Sequence, residues 1–162
     1  AARLIGLPGV LVQMQGGLVM LNDEMLLQDD AGVMREAYAP QGPWGILPRC
    51  TNAVVGLGGV CETQLHRETL PDGRSYLVAN IENRAFADDI GPFTVPPGQM
   101  FLLGDNRDNS ADSRFAQGVG GMGFVPVENV IGQGTRVIFS AAGSSPWAVW
   151  DWRADRIFRS VE

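Results

Sequence analysis

The chain has 162 residues, enough for one domain with a sizeable core, and 45% of them are hydrophobic. Charged residues make up only 19%, the formal net charge is -6 and no stretch clusters basic residues, which excludes nucleic acid as a partner on electrostatic grounds. Gly 21 and Pro 10 favour many short strands and turns over long helices, and no apolar run reaches the roughly 18–20 residues of a membrane-spanning helix.

All 12 basic residues counted as Lys+Arg are arginine, so the chain contains no lysine. It opens at Ala1-Ala2-Arg3-Leu4-Ile5, already inside a strand-like run and without the pattern of a signal peptide, which reads as a piece of a longer protein. Gly6-Leu7-Pro8-Gly9 is turn chemistry. Val10 to Gln15, the pair Gly16-Gly17 and Leu18 to Leu21 read as strand, tight turn, strand, and Asn22-Asp23-Glu24 turns the chain again. Gly32 to Tyr38 is a further strand, whereas Ala39 to Gly45 is too rich in Pro and Gly for a regular element. Cys50 and Cys61 flank a Gly-rich loop that allows either a disulfide or two separate thiols.

Gln64 to Leu70, the turn Pro71-Asp72-Gly73 and Ser75 to Ile81 read as a hairpin. His66, the only histidine, sits beside Arg67 and Glu68 on what reads as a surface strand. That argues against a Ser-His-Asp triad and against a metal site. Met100 to Leu103 is an apolar strand, and the polarity inverts after it. In Gly104-Asp105-Asn106-Arg107-Asp108-Asn109-Ser110-Ala111-Asp112-Ser113-Arg114, Asp, Asn and Ser favour turns over ladders. The charges around Ser110 are suited to fixing one hydroxyl in place. Val130 to Ser140 reads as a last strand. Trp147, Trp150 and Trp152 form either core or a lipid-facing patch, and Arg153 to Glu162 reads as a short helix with Ile157 and Phe158 inward.

Three words resemble those of the bacterial type I signal peptidases, serine–lysine endopeptidases that cut leader peptides from exported proteins. They are Arg3-Leu4-Ile5-Gly6-Leu7-Pro8-Gly9, Val95-Pro96-Pro97-Gly98 with Phe101, and Gly104 to Arg114 followed by Gly123-Phe124-Val125-Pro126. The resemblance implies that Ala2 occupies the place of the family's base lysine, and Val10 that of a usual aspartate. It implies that Ser110 orients the base, that Asp112 pairs with Arg114 and Asp105 with Arg3, and that Arg107 supports the loop. The family nucleophile lies in a Ser-x-Met-x-Pro word, and no such word occurs in this chain. A chain with neither that serine nor a lysine is expected to be inactive as written.

The same resemblance implies a mainly β fold of antiparallel sheets with little helix. It implies a single catalytic-domain fragment over 1–162 with a variable β-rich insertion at about 23–96. It places the domain on the periplasmic face of the cytoplasmic membrane, a compartment that favours the Cys50–Cys61 bridge. It implies exported preproteins as substrates, the membrane surface as a partner, a monomeric state, and neither metal nor organic cofactor. Two rivals remain: a non-catalytic relative that binds peptides or a membrane partner, and a related processing peptidase of a conjugation or pilus system.

Overall fold

The computed structural model describes residues 2–41, 45–52, 54–82, 86–138, 140 and 157–161. Their architecture is antiparallel β-sheet, as the sequence pattern requires, and helix among them is confined to four three-residue 3-10 turns. Contacts divide the chain into two compact units, Ala1–Met34 with Thr63–Ile131, and Arg35–Glu62 with Gly132–Glu162.

The strands that matter for function lie wholly or mostly in the first unit. Strand β1 (Ala2–Gly6) pairs with β9 (Gln99–Gly104), which pairs on its other edge with β10 (Val125–Pro126). A second sheet runs β4-β3-β2-β8, built from β2 (Leu11–Gln15), β3 (Leu18–Leu21), β4 (Glu24–Met25) and β8 (Ile90–Thr94). A third runs β5-β6-β7, built from β5 (Leu27–Ala37), β6 (Val60–Thr69) and β7 (Ser75–Asn80). The β2–β3 hairpin closes through Gly16 and Gly17, both at positive φ, the backbone a primed two-residue turn demands.

Alternation sends every second side chain of β2 and of the start of β7 inward. Ile5, Val12, Met14, Val19, Val78, Val95, Phe101 and Leu103 make one core with Tyr76. Phe101 lies between Phe93 and Phe124, with ring centroids 5.2 and 5.9 Å away. Gly6 admits the close crossing of β1 over this core, because a Cβ there would stand 2.8 Å from Val12 Cγ2.

In the second unit, Cys50 and Cys61 form a disulfide, and Thr51 and Asn52 tie the intervening loop back onto β6 through hydrogen bonds to the backbone of Glu62 and Val60. Two expectations are corrected. Val130 to Ser140 is not a strand among its described residues: it makes only a bridge from Arg136 to Ser160 and a few backbone bonds beside it to residues 158–161. Ile131 and Ile138 there are exposed, and Gly132 and Gly134 supply no side chain to pack. The described end of the chain, 157–161, is a turn and not a helix, with Phe158 outward and at positive φ. Trp147, Trp150 and Trp152 lie outside the described residues.

Candidate functional site

The site is built where the end of β9 meets the start of β1. Ala2 stands directly opposite Gly104, and Arg3 opposite Leu103, in the β1–β9 register. Directly opposed residues of an antiparallel pair point to the same face, with Cβ positions roughly 4.5–5.5 Å apart. Gly104 has no Cβ, and its side-chain space is taken by Ser110: a Cβ on Gly104 would lie 2.0 Å from Ser110 Oγ and 2.3 Å from Ser110 Cβ. The Ser110 hydroxyl therefore stands in the side-chain position that faces residue 2. Combining the two spacings puts it roughly 3–7 Å from the Ala2 Cβ, a gap spanned by a lysine side chain of roughly 6 Å together with a hydrogen bond of about 3 Å.

The loop that presents Ser110 is a short 3-10 turn, Arg107–Asn109, after which Ser110 returns to extended backbone. Its charged side chains hold it. Asp112 and Arg114 are both buried and form a bidentate pair, with Arg114 Nε and Nη2 each 2.9 Å from a carboxylate oxygen. Asp112 also accepts the backbone N–H of Gly104 at 2.9 Å, so one carboxylate fixes both ends of the loop. Ser113 does the same for the strand before it: its hydroxyl accepts the N–H of Leu102, and its own N–H donates to the Leu102 carbonyl. Asp105 pairs with Arg3 at 3.2 Å, and both are partly exposed.

Arg107 is buried and forks onto both oxygens of Glu68. Burial opposes its charge, but the facing Glu68 carboxylate outweighs that and raises the guanidinium pKa further. Tyr76 donates its hydroxyl to Glu68 Oε2 at 2.6 Å. Burial first, and the Glu68 charge second, push the Tyr76 phenol far above its usual range, so it serves as a fixed donor. The ring of Tyr76 carries the Arg3 guanidinium 4.1 Å from its centroid.

One feature differs from expectation. Glu68 is fully buried, whereas its strand reads in sequence as surface. His66 lies two residues away on β6, half-buried and opposite Val78, and takes no part in this cluster. A shallow groove of about 530 Å³ lined by Phe93, Gln99, Gln117, Phe124 and Pro126, among others, lies at the opposite end of β9, where Gln99 pairs with Pro126. It has no titratable lining group.

The family model for "Signal peptidase, peptidase S26" matches residues 2–139. Among curated proteins the chain is 34% identical to Signal peptidase I of Rickettsia typhi over 145 residues, covering 85% of this chain and 45% of that protein. It is 32% identical to Signal peptidase I of Rickettsia bellii over 180 residues, covering 98% of this chain and 53% of that protein. The chain thus spans about half the length of the curated relatives it matches. No solved structure matches it at a significant level.

Proposed function

The chain belongs to the signal peptidase family, peptidase S26, and from that premise we propose that it is the part of a signal-peptide-removing serine peptidase that holds the base side of a serine–lysine site. The observation that carries this reading is the Ser110 hydroxyl seated on Gly104 opposite residue 2. A lysine acts as base only when burial disfavours its charged form and a partner aims its amine at the nucleophile. Ser110 is the aiming hydroxyl. Asp112 and Arg114 fix its loop, Arg107 anchors the turn before it, and the Asp105–Arg3 pair ties that loop to the strand of residue 2.

With Ala2 at the base position and no lysine anywhere, this segment by itself has no base. Its sequence also contains no Ser-x-Met-x-Pro word, so the nucleophile comes from elsewhere in the whole protein. The substrates are exported preproteins, met on the outer face of the cytoplasmic membrane. The Cys50–Cys61 disulfide supports that oxidising side. No helix among the described residues is long and apolar enough to cross a membrane.

The test is processing of a purified exported preprotein by the whole protein in detergent, with alanine or lysine at position 2. The lysine form should cut at the signal-peptide boundary. The alanine form should be slower by about 10²–10⁴-fold, the usual contribution of a positioned base. Preprotein bound by both forms and cut by neither would make this a non-catalytic relative.

A further inference from the structure

Taking the base-side reading above as its ground, we infer that Glu68 and Tyr76, on the β6–β7 hairpin, are positioning residues for the Ser110 loop and for the strand of residue 2. The two strands put them in one place: Glu68 and Tyr76 are directly opposite in the β6–β7 register. Both are buried, and each reaches a different part of the site.

Glu68 acts on the loop. Its carboxylate takes both Nη1 and Nη2 of Arg107, a fork-to-fork contact that fixes the guanidinium in angle as well as distance. Arg107 opens the three-residue turn whose next residue is Ser110, and its carbonyl accepts a hydrogen bond from Arg114 Nη2. The hold on Arg107 therefore passes to the Arg114–Asp112 pair and on to the Gly104 N–H. Backbone contacts on the same hairpin point the same way. Ala79 N–H donates to the Asp105 carbonyl at 2.7 Å, and Asp108 Oδ2 accepts the N–H groups of Ile81 and Glu82 at 2.6 and 2.9 Å.

Tyr76 acts on both sides at once. Its hydroxyl orients Glu68, and its ring face supports Arg3, the residue next to position 2. A tyrosine held between this carboxylate and this guanidinium sets the spacing between base strand and orienting loop. Stability alone does not account for the arrangement, because a buried ion pair is usually no more stabilising than packed apolar side chains of the same volume. What the charges add is one preferred geometry for Arg107.

The experiment is amide hydrogen exchange by NMR on the 162-residue chain, comparing wild type, Glu68→Gln and Tyr76→Phe. The site amides are Gly104, Ser113, Ile81 and Glu82; the reference amides are Leu26, bonded to Val19, and Val95, bonded to Val10. Glu68→Gln removes the charge and keeps the shape. It should speed exchange of the site amides about tenfold or more and leave the reference amides within about twofold, because local opening is separable from global unfolding. Tyr76→Phe keeps the ring over Arg3 and should give a smaller change of the same pattern. If all amides speed up together, the pair is core and not positioning. If none responds in either variant, the inference falls. In the whole protein carrying Ala2→Lys, Glu68→Gln should lower kcat about tenfold with KM unchanged, the loss of a transition-state arrangement and not of binding; a rise in KM alone would overturn the assignment. Exchange does not depend on proteolysis. A local exchange response with an inactive Ala2→Lys whole protein would therefore refute the peptidase reading and leave the positioning role standing.

Discussion

Asp112→Ala should destabilise the protein by about 3–5 kcal/mol, the usual cost of removing one partner from a buried ion pair. The reason is the number of groups that lose a partner at once. Asp112 and Arg114 have no exposed side-chain surface, so the Arg114 guanidinium would stay buried without its counter-charge. The N–H groups of Gly104 and Arg114 would also lose their acceptor. Asp105→Asn in the same loop is the control. Its ion pair with Arg3 is partly exposed on both sides, where such pairs contribute about 0–1 kcal/mol. Urea denaturation with a common slope measures both. Similar losses for the two substitutions would contradict the account, since the Asp112 pair is buried and bonded to several groups while the Asp105 pair is partly exposed.

Gly104→Ala should displace Ser110. Gly104 is not in the left-handed backbone region, so alanine brings no conformational penalty there; its Cβ would instead meet Ser110 Oγ at 2.0 Å and Ser110 Cβ at 2.3 Å. No side chain tolerates such contacts, and overpacking of this kind costs about 1–3 kcal/mol. The displacement also reaches function. In the lysine-2 whole protein a shift of about 1 Å in the orienting hydroxyl should slow preprotein processing roughly a hundredfold. Gly104→Ala combined with Ser110→Gly removes the clash and should regain most of the stability and none of the rate. If Gly104→Ala alone is neutral in both measurements, Ser110 does not sit on Gly104.

Much of this site is legible in the residue order. The run Met100 to Leu103 followed by Gly104-Asp105 marks a strand end, and the ion pairs Asp112–Arg114 and Arg3–Asp105 fall where the family resemblance places them. Gly16-Gly17 and Pro71-Asp72-Gly73 mark their turns by chemistry that few other residues satisfy. Glu68 is harder to read, because a glutamate flanked by His66, Arg67 and Thr69 looks solvated. Its burial follows from pairing and not from its neighbours in sequence. The turn at residues 71–73 sets Glu68 opposite Tyr76, and Tyr76 shares an inward face with Val78, so Glu68 must point inward too. Val130 to Ser140 misleads for the opposite reason: its Val, Ile, Thr and Phe content suits a strand, but among the described residues it pairs only at Thr135 to Val137, through a bridge and a few backbone bonds to residues 158–161. Pattern makes a segment able to pair, and only the rest of the fold supplies the partner.

The most direct test of the central claim is a crystal structure of the chain with Ala2→Lys. Ala2→Lys would introduce the only lysine of this chain, so its amine is unambiguous. The account predicts its Nζ on the Gly104 face of the β1–β9 sheet, within about 2.7–3.2 Å of Ser110 Oγ, the distance of an ordinary hydrogen bond. A lysine amine on the other face, with Ser110 turned to solvent, would contradict it.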